Sequence, residues 1–187
     1  MKKLLMICMV IIGVAGLTSA APTTLITFNE FPLGTVIDTE YAPLGVVFTA
    51  ATYNPPKISM NGAMPTQPIL RPDGGPSTFR GDFWIKFITP AAEVQFDSGY
   101  WDGLGNGVIN VYDPYLNPLA SLTNTTTGVN VTNVTGWIGY IYFNSVGDPA
   151  GADIDNLAFT PIPAPGAIVL GGIGVGLIGW LRRRRTL

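Results

Sequence analysis

Apolar and polar residues alternate with a period of two between residues 25 and 159, and no long stretch has the 3.6-residue spacing of an amphipathic helix. Clusters of glycine, proline, asparagine and aspartate separate the alternating segments. The pattern predicts strands at residues 25–28, 46–51, 83–87, 93–98, 108–112, 120–125, 129–134, 137–143 and 154–159. Many short strands with such turns predict an all-β domain, an antiparallel β-sandwich or jelly roll, over residues 21–160.

Two parts of this domain have a more specific prediction. Residues 109–122 contain two alternating runs around Pro114–Pro118, which predicts a β-hairpin. Residues 52–80 alternate poorly and hold six prolines, so we expect a long loop over one end of the sandwich.

The N-terminus has the three parts of a secretory signal peptide. Lys2 and Lys3 precede an apolar run from residue 4 to residue 17, and Thr18, Ser19 and Ala20 supply small residues for cleavage. We predict a signal peptide over residues 1–20, with cleavage after Ala20 or Ala21. An uncleaved N-terminal membrane anchor is the alternative.

The C-terminus, residues 161–187, combines a proline-rich segment, an apolar run and a basic end. Residues 167–181 are apolar, and as a helix they span about 22 Å at about 1.5 Å per residue. We predict a single transmembrane helix over about residues 166–181. By the positive-inside rule, the basic tail that follows stays in the cytoplasm.

This order of parts, PAPGAIVLGGIGVGLIGWLRRRRTL, resembles the PEP-CTERM protein-sorting signal of bacteria. The resemblance implies that an exosortase-like membrane protein processes the tail after transient anchoring in the membrane. It also implies a final location in the cell envelope, at the cell surface or in an extracellular matrix. The residues that carry the signal are Pro163, Ala164, Pro165, Gly166, Arg182, Arg183, Arg184 and Arg185. Ala164 stands where the family has glutamate, which leaves the processing site open, and an unprocessed tail anchor is the alternative.

Charge is distributed unevenly along the chain. The whole sequence has a formal net charge of −2, but residues 21–160 hold all twelve acidic side chains and four of the basic ones, a net charge of −8. An acidic domain of this kind is not expected to bind nucleic acid. Its carboxylates are suitable ligands for divalent cations.

Three short segments, 26–30, 45–48 and 154–159, resemble the beginning and end of exported jelly-roll modules similar to galactose-binding-like domains. In related carbohydrate-binding jelly rolls a structural calcium ion ties the first strand to the last. The resemblance therefore implies calcium ligands at Glu30 and Asp155, completed by backbone carbonyls and by Asp38 or Asp153. The alternative is that Asp155 shapes a turn and Glu30 is solvated.

The residue inventory excludes several kinds of catalysis. There is no histidine, and the one cysteine, Cys8, lies in the signal peptide, so catalytic triads, thiol mechanisms and histidine-based zinc sites are excluded. Glycoside hydrolysis needs only two carboxylates, and Asp97 with Asp102 is one such chance pair. We expect a protein that is not an enzyme, with a carboxylate-dependent extracellular glycoside hydrolase as the alternative.

Sugar binding is the predicted activity, with an exopolysaccharide as the expected partner. Aromatic ring faces stack on sugar rings while amides and carboxylates bond to the hydroxyls. One glycine-rich loop offers both kinds of group, and its predicted ligand-binding residues are Tyr100, Trp101, Asp102 and Asn106. The alternative is that Trp101 caps one end of the sandwich. Alternation predicts that four further aromatics are core residues and cross-strand pairs, namely Trp84, Trp137, Tyr140 and Tyr142.

Overall fold

The computed structural model describes residues 23–51, 54–60, 64, 66–73, 81–99, 101–144, 153–163 and 173–178. The chain divides into two compact units, one of Pro22–Ile162 and one of Met1–Ala21 with Pro163–Leu187. In the second unit, Pro163 is exposed and residues 173–178 are helical. Within the described ranges no helix is long and apolar enough to cross a membrane. The predicted signal peptide, most of the predicted transmembrane helix, Ala164, Pro165, Gly166 and Arg182–Arg185 lie outside the described residues.

The unit Pro22–Ile162 is built almost entirely of antiparallel β-strands, as predicted. The strands are β1 (Thr24–Ile26), β2 (Val46–Ala50), β3 (Asn54–Ser59), β4 (Ile69–Asp73), β5 (Phe83–Gly99), β6 (Val108–Tyr112), β7 (Pro118–Thr123), β8 (Asn130–Asn144) and β9 (Asp153–Pro161). Their order is β3-β4-β9-β5-β8-β6-β7, with β1 paired to β9 and β2 paired to β5. The predicted hairpin is confirmed as β6 and β7.

The two longest strands, β5 and β8, each belong to two groups of strands. Residues 83–87 of β5 pair with β2, and residues 83–86 pair with the C-terminal part of β8, whereas residues 93–99 pair with β9. The register shifts between these parts, from Lys86 to Ala91 and from Ala91 to Glu93. We call the group formed by β2, β6, β7, β5 83–87 and β8 138–144 half-sheet A. The group formed by β1, β3, β4, β9, β5 93–99 and β8 130–135 is half-sheet B.

Apolar side chains from the two half-sheets meet in one core. Phe143 of half-sheet A lies 5.2 Å from Phe96 of half-sheet B, centroid to centroid, and Phe87 of half-sheet A lies 5.1 Å from Phe159 of half-sheet B. All four rings are buried. Two sheet faces that bury their rings against each other form a β-sandwich.

The sequence prediction for residues 52–80 was wrong, because this segment contains strands β3 and β4. β3 includes Pro55 and Pro56, and it pairs with β4 on one side. β3 is the last strand in the sheet order, a position that tolerates proline better than a central one. On its other side, the Ile37 amide donates a 2.7 Å hydrogen bond to the Pro56 carbonyl. β4 is attached to β9 by a buried ion pair in which Arg71 donates two hydrogen bonds to Asp153, at 2.9 and 3.0 Å.

Candidate functional site

Four aromatic rings form a cluster on the solvent side of half-sheet A. Trp84 alternates with buried neighbours in β5, and Tyr140 and Tyr142 alternate with buried Ile141 and Phe143 in β8, so their side chains point away from the core. Tyr112 of β6 is the register partner of Tyr140, and Trp84 is the register partner of Tyr142. We call Trp84, Tyr112, Tyr140 and Tyr142 the aromatic face.

Trp84 is the central ring of the aromatic face. It stacks on Tyr142 with centroids 4.5 Å apart and an interplanar angle of 24°, and it meets Tyr140 edge-on at 6.3 Å. Tyr112 lies 5.6 Å from Trp84 at a tilt of 42°. Such offset and edge-to-face contacts fix ring orientation. The cluster is therefore an ordered apolar surface whose rings all remain partly exposed.

Polar groups border the aromatic face. Tyr142 Oη donates a hydrogen bond of 2.9 Å to Asp82 Oδ2. Burial, this hydrogen bond and the charge of Asp82 raise the pKa of Tyr142 to about 12, so its hydroxyl stays protonated near neutral pH. Lys86 Nζ lies 5.9 Å from the centroid of the Tyr140 ring, within the range of a cation–π contact. Asn110 is the register partner of Tyr142 on the other neighbouring strand, β6.

Period-two alternation in the sequence predicts part of this arrangement. Its prediction of cross-strand aromatic pairs is confirmed, because Trp84 and Tyr142 are in register and stacked. The prediction that these rings belong to the core was wrong. Both sides of β8 carry large apolar residues, and packing selected the side with Ile141 and Phe143 for the interior. Alternation alone could not distinguish the two sides.

The glycine-rich loop that the sequence favoured for sugar binding has its tryptophan inside the protein. Trp101 is 3% exposed and belongs to the core cluster. A Cβ atom on Gly107 would lie 1.9 Å from the Trp101 ring, so the ring packs directly on the backbone there. Asn124 fixes this loop by donating to the Gly103 carbonyl at 2.8 Å and accepting from the Gly107 amide at 3.1 Å.

The position of Trp101 corresponds to the alternative in which it caps the sandwich. A covered ring offers no face to a sugar. Of the other predicted loop residues, Asp102 is exposed and Asn106 is partly exposed, whereas Tyr100 lies outside the described residues. The structure therefore brings no exposed aromatic ring from residues 101–107 together with Asp102 and Asn106.

Two other carboxylates, those of Asp97 and Glu30, act on Asp155 in half-sheet B. Asp155 in β9 is the register partner of Asp97 in β5. Burial raises the pKa of Asp155, hydrogen bonds from Thr66 and from the Asn156 amide lower it, and the charges of Asp97 and Glu30 raise it, with a net upward shift. Asp97, one of the two carboxylates of the chance pair with Asp102, accepts a 2.8 Å hydrogen bond from Asn156 Nδ2. The arrangement brings Glu30 and Asp155, the predicted calcium ligands, into electrostatic range.

The oxygens of these two predicted ligands already accept hydrogen bonds from protein donors. Glu30 accepts from Thr27 Oγ1 at 3.2 Å and from Tyr41 Oη at 2.8 Å. Burial alone would raise the pKa of Glu30, but the hydrogen bonds from Tyr41 and Thr27 and from the backbone bring it below its usual value. Asp155 accepts from Thr66 Oγ1 and from the amide of Asn156.

The described part of the chain contains no group of three or more histidine, cysteine, aspartate or glutamate side chains placed to hold a metal. Calcium prefers six to eight oxygen ligands, so Glu30 and Asp155 would need several further donors. The residues present do not form a ready calcium site, and calcium binding stays a prediction of the sequence.

No family model and no curated protein sequence matches this chain. Among solved structures it is similar to a mutant of a carbohydrate-binding module of family 29, with 15% identity and a TM-score of 0.40 over 74% of this chain and 92% of that chain. It is also similar to the K2 cleaved adhesin domain of Lys-gingipain, with 16% identity and a TM-score of 0.40 over 74% of this chain and 99% of that chain. Similarities of this size define neither the function nor the ligand of this chain.

Proposed function

We propose that this chain is an exported, non-catalytic protein of the cell surface or extracellular matrix that binds polysaccharide on the aromatic face of half-sheet A. The observation that carries the proposal is the placement of four aromatic rings on the side of the sheet that faces away from the core. Antiparallel sheets usually alternate apolar residues inside with polar residues outside. Rings on the solvent side contribute little to the sandwich core and are available to a ligand.

The chemistry of the aromatic face suits a sugar. The C–H groups of a sugar ring pack on aromatic faces, and bordering donors and acceptors bond to its hydroxyls. Trp84 supplies the largest ring, and Lys86 and Asn110 stand beside the tyrosines that surround it. The Tyr142 hydroxyl is already oriented by Asp82 and does not have to be ordered when a ligand binds.

Export and sorting form the second part of the proposal. The signal peptide of residues 1–20 and the PEP-CTERM-like tail of residues 163–187 support delivery through an exosortase-like membrane protein. The tail would anchor the protein in the membrane transiently, before release to the envelope. Replacing Arg182–Arg185 with alanine should leave the protein uncleaved or retained in the cell, as measured by immunoblots of cell and medium fractions. Unchanged release of this variant would contradict sorting by the tail.

The binding proposal is tested with the full-length chain by affinity electrophoresis in gels that contain cellulose derivatives, mannan or starch. Retardation by at least one of these neutral polysaccharides is expected. Trp84→Ala should abolish the retardation without a large change in melting temperature. Leu33→Ala, a change at an exposed apolar residue outside the aromatic face, is the matched control and should bind normally. Unchanged binding by Trp84→Ala would refute the proposed site.

A carboxylate-dependent glycoside hydrolase is the second candidate, and one observation favours it. Asp97 and Asp155 are register partners on adjacent antiparallel strands, and the raised pKa of Asp155 is a property of general acids. Asp155 is only 1% exposed, however, so a glycosidic bond does not reach it in this arrangement. Reducing-sugar release from the same polysaccharides, lost in Asp155→Asn, would support this candidate over simple binding.

A further inference from the structure

Strand β7 is the last strand of half-sheet A and has a partner on one side only. It pairs with β6 along Pro118–Thr123, and the register shifts near the start of β7, between Val111 and Tyr112 of β6. Among the residues that the structure describes, none forms a backbone hydrogen bond with the side of β7 that faces away from β6. A strand presents N–H and C=O groups to both of its sides, so the free side of β7 offers donors and acceptors to another strand.

Two other edge strands are covered by segments of the same chain. In half-sheet A the opposite edge strand is β2, and its Phe48 amide donates a 2.8 Å hydrogen bond to the Asp38 carbonyl. At the far end of the sheet order, the free side of β3 is covered in the same way, where the Gly34 amide donates 2.8 Å to the Ile58 carbonyl. β7 therefore differs from β2 and β3 in leaving its outer side open within the described structure.

The surroundings of β7 hold almost no charge. Between Asp102 and Asp148 the sequence has one charged side chain, Asp113, and this stretch supplies β6, β7 and β8. Asp113 Oδ1 accepts hydrogen bonds of 2.8 Å from the amides of Tyr115 and Asn117, so its carboxylate has partners within its own turn. Edge strands of monomeric proteins usually carry charges, prolines or bulges that prevent pairing. β7 has a proline and a register shift at its first residues, and no charge along the rest.

Exposed apolar side chains surround the beginning of β7. Four of them are between 45% and 74% exposed, namely Tyr115, Leu116, Leu119 and Trp137. The rings of Tyr115 and Trp137 meet edge to face with centroids 5.4 Å apart, and a Cβ atom on Gly136 would lie 3.7 Å from Leu119 Cδ1. An exposed apolar patch of this kind is typical of surfaces that contact another macromolecule. We call these four side chains the edge cluster.

The turn that carries Tyr115 and Leu116 packs closely on β8. A Cβ atom on Gly139 would lie 2.5 Å from the Pro114 Cα atom and 2.6 Å from the Pro114 nitrogen. Only glycine therefore lets the backbone of the turn approach β8 at this point. The turn holds its part of the edge cluster in place before any partner binds, which lowers the entropic cost of association.

We propose that β7 and the edge cluster form an interface between two copies of this chain, in which the two β7 strands pair antiparallel about a twofold axis. A second copy suits this edge because its own β7 is equally open and equally uncharged. A twofold axis sets the two identical strands antiparallel and brings the same patch of both copies together. Such a contact closes on itself, so the product is a dimer and not a fibre.

Charge supports the choice of a second copy and of this surface. The domain of residues 21–160 has a net charge of −8, so two copies repel each other over most approaches. The repulsion is smallest where the contacting surfaces of both copies lack charged side chains, which is the case along β7. The interface does not depend on polysaccharide binding, because β7 contributes no residue to the aromatic face.

The test measures the dissociation constant of the dimer by sedimentation velocity of the full-length chain over a range of concentrations. Ser121→Lys places a lysine of each copy on the paired edge, and it should raise the dissociation constant about tenfold or more. Gln95→Lys, the matched control, makes the same charge change at an exposed position of half-sheet B and should keep the native dimer. Both side chains are exposed, so both variants should keep the native circular dichroism spectrum.

Disulfide crosslinking locates the contact directly. In a Cys8→Ser background, cysteine replaces each residue from 119 to 123 in turn. Opposite residues of an antiparallel pair have Cα atoms roughly 4.5–5.5 Å apart, which is within reach of a disulfide. Mild oxidation should link two copies in at least one of these variants, whereas Gln95→Cys should stay unlinked. The absence of a linked dimer in the whole series would overturn the pairing of β7 with itself.

Two further measurements test the edge cluster and the role of charge. Trp137→Ala removes an exposed ring and should weaken the dimer several-fold while the fold is kept. Added sodium chloride should strengthen the dimer, because salt screens the repulsion between two acidic domains. A dimer that salt weakens would be held by ion pairs and would overturn the uncharged interface.

The remaining outcomes separate this interface from other contacts. A chain that stays monomeric at all concentrations, or a dimer unaffected by Ser121→Lys, would overturn the proposal. Dissociation by Val131→Lys instead would place the contact on the other uncharged edge, residues 130–135 of β8, and would also overturn it. Trp84→Ala should lose polysaccharide binding and remain dimeric, so failure of the proposed function would leave the dimer standing. Reduced polysaccharide binding by Trp137→Ala with an intact dimer would make the edge cluster a sugar site and not an interface.

Discussion

The two half-sheets share strands β5 and β8, yet their solvent-facing sides differ in chemistry. On half-sheet A the outward positions of these strands hold Trp84, Lys86, Tyr140 and Tyr142, whereas on half-sheet B they hold Glu93, Gln95, Asn133 and Thr135. Asn133 Nδ2 donates a 3.1 Å hydrogen bond to Glu93 Oε1, an ordinary polar contact on a solvated sheet. One continuous strand pair thus supplies both a solvated surface and an aromatic one.

The contrast shows that aromatic rings are not required on the outside of these strands for the sandwich to form. Both halves bury the same kind of apolar residue inside, such as Val94 and Phe96 in half-sheet B and Ile141 and Phe143 in half-sheet A. The outward aromatic rings of half-sheet A are additional to this core. Substitutions in the core should therefore change stability, whereas substitutions on the aromatic face should change binding.

The largest expected effect separates two tryptophans. Trp101→Ala should lower the free energy of unfolding by about 3–5 kcal/mol, because the ring is 3% exposed and its loss leaves a cavity. Trp84→Ala should lower it far less and instead remove polysaccharide binding. Urea denaturation followed by fluorescence measures the stabilities, and affinity electrophoresis measures binding. If Trp101→Ala lost polysaccharide binding but kept its stability, the binding site would lie in the loop of residues 101–107 and not on the aromatic face.

A smaller effect is expected where the turn between β6 and β7 packs against Gly139 of β8. Gly139→Ala should destabilise the domain by about 1–3 kcal/mol, because the new methyl group would overlap the Pro114 backbone, which cannot yield as a flexible side chain does. Gly105→Ala provides a control with open space around the Cβ atom, although its φ of 73° also adds strain. Thermal denaturation compares the two. A Gly139→Ala variant as stable as the native chain would show that the turn is not fixed against β8.

Two aspartates should give stability changes of opposite sign with pH. The pKa of Asp155 is higher in the folded protein than in the unfolded chain. The contribution of Asp155 to the free energy of unfolding is therefore fully present below its unfolded-state pKa, and it is lost as the pH rises through its folded-state pKa. Asp155→Asn should therefore stabilise the protein at pH 7, with a gain that shrinks towards pH 4. The hydrogen bonds from Asn117 and from the amides of Asn117 and Tyr115 lower the pKa of Asp113, so Asp113→Asn should destabilise at pH 7 and have less effect at low pH.

Melting temperatures of the native chain, Asp155→Asn and Asp113→Asn, measured from pH 4 to pH 8, show whether each substitution stabilises or destabilises the protein. Destabilisation by Asp155→Asn at pH 7 without added metal would contradict the raised pKa of Asp155, which burial causes and which the charges of Asp97 and Glu30 increase.

Calcium provides a further test of half-sheet B. If the sequence prediction holds, calcium should raise the melting temperature of the native chain, and both Glu30→Gln and Asp155→Asn should remove that increase, because each deletes a charged ligand. Magnesium at the same concentration is the control for ionic strength. If calcium did not change the melting temperature of the native chain, the calcium hypothesis would be refuted, and Glu30 and Asp155 would be structural groups.

The smallest effect is expected on the solvated surface of half-sheet B. Gln95→Ala should change the free energy of unfolding by less than about 0.5 kcal/mol and leave polysaccharide affinity unchanged, since the side chain is exposed and outside the aromatic face. The same assays as for Trp84→Ala apply. Reduced polysaccharide binding by Gln95→Ala would mean that the ligand also covers half-sheet B.

The sequence by itself determined the strand content and much of the strand positions. Period-two alternation predicted the positions of β2, β6 and β9 to within about two residues, and it predicted the β6–β7 hairpin. These features are local, because alternation and turn residues act over a few positions. The charge of residues 21–160 and the absence of histidine are likewise fixed by the sequence, and they exclude whole classes of chemistry without any coordinates.

Tertiary structure decided which predicted elements join and which sides are buried. The two predicted strands at residues 83–87 and 93–98 are parts of the single strand β5. The two predicted at residues 129–134 and 137–143 are likewise parts of β8, which begins one residue later, at Asn130. Each merges because long-range pairing continues through local irregularities, such as Gly136 with φ 148° in β8. β3 forms despite Pro55 and Pro56 because it is the last strand in the sheet order. β4 lies between β3 and β9, and it pairs with β9 at Leu70, away from Pro72. Period-two alternation defines two sides of a strand but does not choose between them when both are aromatic or apolar. Packing placed Trp101 inside and Trp84 outside, and that choice located the candidate site.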